Sequence, residues 1–306
     1  MVFARVSGIL VAVAVLAFLQ LSVGSTAVPL FGGDDHARAV LWELRAPRVL
    51  VGLCAGACLG LAGTLLQAAV RNPLASPEIT GVGSGAVLGA VAASVSGFTQ
   101  PLAVAFAALL GGVVGGGVLW VVAGRSGDVA VRGVIVSAVL VGTTLVLLTA
   151  RPQLAGAVSR WLLGSLVGRT WEHVAPLWPV VVLVVVVGTL LGGVLDVLAV
   201  DDDHAHGVGL AVVPWRSTVL VLAAVATSAS VAAIGATAFV GLLAPHLARW
   251  LVGPVHRVAV PVSALAGAGT VAAADAVGQL VHVPAGAITA VIGSGVLIAV
   301  ARRTGG

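Results

Sequence analysis

The fold class this sequence predicts is an all-α polytopic membrane protein of about ten transmembrane helices. Composition and spacing both point there. Of 306 residues, 59% are hydrophobic and only 8% charged, against about a quarter charged in soluble domains, and mean hydropathy is +1.17. The apolar runs recur at lengths near the ~20 residues that a bilayer-crossing helix needs. Together they account for nearly the whole chain, so residues 1–306 read as one transmembrane domain without a separate soluble unit.

All 15 basic residues are Arg. A phosphate-cradling G-x-x-x-x-G-K-[ST] loop requires a Lys, so the chain carries no such ATPase site and any ATP-driven role needs a partner. A sequence pI near 10.9 would suggest nucleic acid in a soluble protein. Here the Arg residues are scattered through loops with no basic run, which reads as topology control rather than nucleic-acid binding.

Behind Arg5, the apolar run Val6–Val23 exceeds the 7–15-residue core of a signal peptide and fits a first span, a cleaved signal being the alternative. Gly24–Arg48 carries Asp34, Asp35, Arg38, Glu43, Arg45 and Arg48, too many charges for burial. Val49–Val70 is a second span. Its Cys54 and Cys58 lie four apart on one helix face and read as small packing residues rather than a disulfide or a metal site. Asn72-Pro73 and Ser76-Pro77 then end that helix. The third segment, Gly81–Ser94, is short and broken by Gly81, Gly83, Gly85 and Gly89.

Leu102–Ala123 and Gly133–Ala150 are the fourth and fifth spans. Gln153–His173 mixes Trp with Arg and is expected to be an interfacial helix, with Trp at headgroup depth and Arg reaching water. Ala175–Val194 is the sixth span. It leads into Leu195–Arg216, the one long polar interruption of the second half, with Asp201, Asp202 and Asp203 in a row. Unpaired in hydrocarbon each would cost about 2.5–3.5 kcal/mol, so this segment must lie in water. Ser217–Ile234, a shorter Phe239–Val252 broken by Pro245, Val258–Val281 and Ala285–Ala301 complete the count before Arg302 and Arg303.

Ten spans put both termini on one side, assigned to the cytoplasm. Nine Arg then fall inside, against six outside: Arg38, Arg45, Arg48, Arg151, Arg160 and Arg169. The outer six imply a negatively charged docking partner on that face. The short third and eighth segments occupy matching places if spans two to five recur as seven to ten. Such a pairing points to an inverted repeat with a translocation path between its halves.

Four strings, in order, resemble the FecCD family of permeases from binding-protein-dependent ABC importers of iron-siderophore, haem or vitamin B12. They are RAPRVLVGLCAGACLGLAGTLLQAAVRNPLASPEITGVGSGA (45–86), RWLLGSLVGRTWE (160–172), GATAFVGLLAPHLARWLVGPVHR (235–257) and ADAVGQLVHVPAGAITAVIG (274–293). The resemblance implies a permease in the cell (inner or plasma) membrane, paired with a second permease subunit as homodimer or heterodimer. Its further partners would be ABC ATPase subunits, which hold ATP and Mg, and an extracytoplasmic binding protein. This chain would bind no cofactor and break no bond.

Residue by residue, Arg45 and Arg48 match the family's outward Arg pair that meets carboxylates of the binding protein; anchoring at the headgroups, beside Trp42, is the bland alternative. Where the family can place a further Arg, this chain reads Gln279, so that contact is absent or replaced by His282. Asn72, Pro73 and Leu74 match a cytoplasmic gate, which is compatible with an ordinary Asn-Pro turn; residues 128–132 stand where a second gate element would be. The segment 195–216 matches the family's coupling segment, with Leu198, Ala205, Gly209 and Leu210 where its pattern wants them. Asp201, Asp202 and Asp203 would meet basic residues of the ATPase, Leu198, Leu210 and Trp215 would anchor in its groove, and Gly209 would permit a left-handed turn. A solvated loop, or a metal site from Asp203, His204 and His206, are the alternatives. Asp275, the acid deep in a span, reads either as a packing or dimer-interface hydrogen bond or as the ion site of a secondary transporter. His246, after Pro245, reads as a carbonyl cap. A scaffold role is a third, weaker class.

Overall fold

A computed structural model describes residues 2–22, 34–78, 80–123, 129–149 and 161–304, and among these the ordered elements are all helical. In chain order they are α1 (Val2–Ser22), α2 (Asp35–Ala39), a π turn (Val40–Arg45), α3 (Ala46–Val70), α4 (Val82–Val95), α5 (Pro101–Ala123), α6 (Val129–Thr149) and α7 (Trp171–Leu190). There follow α8 (Gly192–Leu198), α9 (Asp202–Gly207), α10 (Val212–Ile234), α11 (Val240–Val252), α12 (His256–Val281) and α13 (Ala285–Thr304). Seven stretches are long and apolar enough to cross a bilayer, and Val82–Val95, Val240–Val252 and Ala285–Gly295 are shorter apolar helices. The ten expected segments are therefore all present.

The start of the second span differs from expectation. Helix runs without a break from Asp35, where the Asp34 carboxylate caps the Ala37 N–H, through α2 and the π turn into α3. Half of the stretch expected to be solvated is thus folded, and Arg45 is only 8% exposed. Its guanidinium donates to the carbonyls of Leu21 (2.7 Å) and Ser22 (3.2 Å). These are orphan acceptors at the C-terminus of α1, where a cation is favoured. Local charge density forbids burial only when no partner arrives from elsewhere in the fold.

The expected interfacial helix over 153–173 is also corrected. Residues 153–160 lie outside the described residues; beyond them one helical turn, 161–163, gives way to a loop, and α7 begins at Trp171. Gly164 and Gly168 adopt φ of 64° and 74°, left-handed values that end a helix. The Trp residues still group as an interfacial belt would. Trp171 donates its indole N–H to the Trp42 carbonyl (2.9 Å), the two rings lie 4.9 Å apart, and Arg169 sits 5.4 Å from the Trp161 ring.

The helices are arranged as two interlocked halves, α3–α6 and α10–α13. α3 packs on α11 and α12 of the second half, while α10 packs on α4 and α5 of the first, and α3 and α10 lie against each other at the centre. Equivalent helices are five spans apart, an odd number, so the second copy runs in the opposite sense. Both short helices are entered through a left-handed residue of nearly identical geometry, Gly81 (φ 75°, ψ −15°) and Phe239 (φ 66°, ψ −14°). Among lipid tails apolar burial drives little association, so close backbone approach must hold the halves together. A Cβ on Gly63 of α3 would collide with the carbonyl of Gly241 in α11, and one on Gly56 of α3 with that of Gly267 in α12. Cys54 and Cys58 are free thiols within this packing.

Candidate functional site

Functional side chains gather at the two ends of α3. Arg48 in its first turn and Arg71 at its C-cap are 23 residues apart, about 35 Å at helical rise.

At the Arg48 end an ionic cluster closes three helices together. Arg48 grips Asp275 of α12 bidentately, Nη2 to Oδ1 at 2.7 Å and Nε to Oδ2 at 3.0 Å. The same carboxylate accepts from Gln20 of α1 (3.1 Å) and from Gln279 one turn along α12 (2.9 Å). Gln20 also donates to the Ala272 carbonyl (3.0 Å). The Asp275 side chain is 3% exposed and that of Arg48 25%. Asp275 therefore makes the packing contact foreseen for it, with a guanidinium as its main partner, and Gln279 completes that set rather than standing outward. Above the cluster opens a cavity of about 860 Å³, lined by Arg45, Arg48, His36, Gln279 and His282 among others. Neither Arg stands free: Arg45 is held by the end of α1 and is the more buried of the two cavity-lining guanidiniums, while Arg48 is held by Asp275.

At the other end, the short helices α8 and α9 fold back beneath the bundle, and Gly209 takes a left-handed turn (φ 78°) after the second of them, before α10. The orientation of the apolar anchors is a correction. Leu198 is fully buried in the main core, as is Ala205, so it fastens the segment to its own chain and cannot fill a partner's groove; Leu210 is half-buried against that core, and Trp215 stays exposed. An apolar residue in a polar loop is equally compatible with an inward or an outward anchor, and the bundle, being adjacent, takes it.

The three Asp residues divide their tasks. Asp201 caps α9 by accepting from the His204 N–H. Asp202 pairs with Arg216 near the start of α10 (2.6 and 3.4 Å) and with Arg71 (3.4 Å). The hydrogen bond from Arg216, then the charges of Arg216 and Arg71, hold its carboxyl below the usual aspartate range. Asp203 is exposed and makes no hydrogen bond or ion pair among the described residues, and His204, His206 and Val208 are exposed beside it. No cluster of three potential metal ligands occurs among the described residues. The gate triplet forms an Asx turn, the Asn72 side chain accepting from the Leu74 N–H (2.9 Å), with Leu74 exposed. Of the second gate element, Asp128 lies outside the described residues, and Arg132 donates to the Val122 carbonyl (2.6 Å). The His246 ring faces the Leu242 carbonyl at 2.8 Å, but α11 runs on through Pro245 to Val252, so His246 lies inside the helix and does not cap its end.

Sequence reasoning passed over Asp196, Gln20, Arg71 as a side chain, and His256. Asp196 of α8 accepts from the His256 backbone N–H (3.0 Å) and pairs with its ring (2.7 Å), tying α8 to the start of α12. Sixty residues separate the two, so nothing local announces the contact.

Two interlocked inverted halves, a polar segment folded under one end and a cavity in the other define a membrane transport protein. The chain belongs to the FecCD transport family, which matches residues 6–303. It is 38% identical over 308 residues to the Fe(3+) dicitrate transport system permease protein FecD of Escherichia coli, covering 96% of each chain. Over 281 residues it is 36% identical to the cobalamin import system permease protein BtuC of Halobacterium salinarum, covering 88% of this chain and 75% of that one. Among solved structures, a metal-chelate type ABC transporter in an inward-facing conformation superposes with a TM-score of 0.87 at 26% identity, over 99% of both chains. PsaBC from Streptococcus pneumoniae shares the fold, with a TM-score of 0.65 at 14% identity.

Proposed function

We propose that the chain is the permease subunit of an ATP-driven importer, carrying a metal chelate of the iron-siderophore, ferric citrate or cobalamin type. The observation that carries this reading is the end-to-end likeness to permease proteins of chelate import systems, at 38% identity over 96% of both chains in one case. The chain has no Lys for a P-loop, so ATP and Mg belong to partner ATPase subunits, and it works beside a second permease subunit in the cell membrane. The Asp202 end, carrying Arg71, Arg216 and Arg257, is the cytoplasmic one, and both termini lie on that side.

In this reading the ATPases press on the exposed face of α9, made of Asp203, His204, His206 and Val208. ATP favours one arrangement of the two halves and its hydrolysis the other, so access to the path between them alternates. At the outer end the binding protein presents carboxylates to the cavity, where Arg48 and, behind it, Arg45 receive them. The secondary-transporter alternative is weakened by Asp275 itself, since both its oxygens are held by Arg48 and the charge is already neutralised.

The test is uptake of labelled ferric dicitrate, ferric enterobactin and cobalamin by proteoliposomes holding the permease, its ATPase and its binding protein. ATP-dependent accumulation of one of the three is expected. Accumulation driven by an ion gradient without ATPase, abolished by Asp275→Asn, would overturn the reading.

A further inference from the structure

Asp202 is held by two arginines of its own chain. Its Oδ1 lies 2.6 Å from Arg216 Nη2 and 3.4 Å from Arg71 Nη1. Arg216 lies near the start of α10 and Arg71 is the C-cap of α3, so one carboxylate joins the ends of the two central helices, which come from opposite halves of the repeat. Arg71 is fixed at its root, because it caps α3 in a left-handed conformation (φ 55°) and its N–H is bound to the Gln67 carbonyl. The next three residues are the Asn72-Pro73-Leu74 turn. On the other side Asp202 rides on α9, which the Asp201 cap and the fully buried Ala205 make into one small body. The only polar links that the described residues show from α9 to the rest of the bundle run through Asp202.

We propose that Asp202 is the joint through which the coupling segment moves the Asn72-Pro73-Leu74 turn, with Arg71 as the lever and Arg216 as the fixed point. This rests on the importer reading. Displacement of α9 by a partner pulls Arg71, and with it the turn that follows, while Arg216 keeps the carboxylate oriented. Asp202 is thus a positioning residue that acts inside its own chain, and Asp203 is the acid left over for the ATPase.

The experiment uses the full assembly in proteoliposomes and measures three quantities: ATPase co-purifying with the permease, ATP hydrolysed, and labelled chelate moved per ATP. Asp202→Asn is expected to leave co-purification as in the wild type while chelate moved per ATP falls about five- to tenfold, the size of a typical coupling term. Arg71→Gln should match it, and the double variant should be no worse than either single one, since both remove the same contact. Asp202→Glu should restore most of the ratio. Asp203→Asn should instead reduce co-purification. Loss of ATPase binding in Asp202→Asn, an unchanged ratio, or additive losses in the double variant would each overturn the joint. Should Asp202→Asn not assemble, Arg71→Gln alone decides, by keeping or losing the ratio. A wild-type assembly that moves every chelate without ATP would sink the importer reading, and the joint with it, whereas an ATP-dependent wild type with a silent Asp202→Asn sinks only the joint.

Discussion

The two ends of α3 use the same chemistry in different surroundings. At one end Arg48 holds a carboxylate that is 3% exposed, and at the other Arg71 shares a carboxylate that is 42% exposed with Arg216. A buried pair is costly to break because each partner strands the other in a low-dielectric interior. A solvated pair costs little to rearrange, since water replaces whatever is lost. The Arg48 end is therefore built to stay closed, binding α1, α3 and α12 into one block. The Asp202 end can rearrange at little cost, as the proposed transport cycle driven from that face would require.

The largest expected effect breaks the closed end. Removing one partner alone, by Asp275→Ala or Arg48→Ala, should destabilise the fold by about 3–5 kcal/mol. Loss of thermal stability in detergent would report it. Replacing both, Arg48→Met with Asp275→Leu, should recover most of that loss, because the penalty comes from the orphaned charge rather than the absent bond. A double variant as unstable as the singles would deny that account.

A smaller effect sharpens the contrast at the open end. Asp202→Asn should change stability by about 0.2–1 kcal/mol, as for other solvent-screened pairs. Because Arg216 lowers the folded-state pKa of Asp202, the contact is fully present above the unfolded aspartate value near ~4 and is lost as pH falls through the lowered folded value. Acid and molar salt should both loosen α9, as read by limited proteolysis at residues 199–211, with the Arg48 end unaffected by the salt. Equal salt sensitivity at both ends would erase the distinction.

Much of the fold was legible in the sequence because it is written locally. Length and apolarity marked ten spans, shortness with Gly residues marked α4 and shortness with Pro245 marked α11, and Gly209 and Asn72-Pro73 announced their turns by residue type. What could not be read is which distant group meets which. Arg48 and Asp275 are 227 residues apart, and a row of charges before α3 looked solvated because its partners were elsewhere. The same limit turned Leu198 the wrong way. The three Asp residues were seen as one acidic patch, whereas the fold gives one to a cap, one to a joint and one to the surface.

Amide hydrogen exchange across the nucleotide cycle of the assembled transporter tests the contrast between the ends most directly. On ATP binding by the ATPases, protection at residues 71–74 and 202–209 is predicted to change together while residues 45–48 and 275–279 keep theirs. A change at the Arg48 end, or movement of 202–209 that leaves 71–74 untouched, would contradict it.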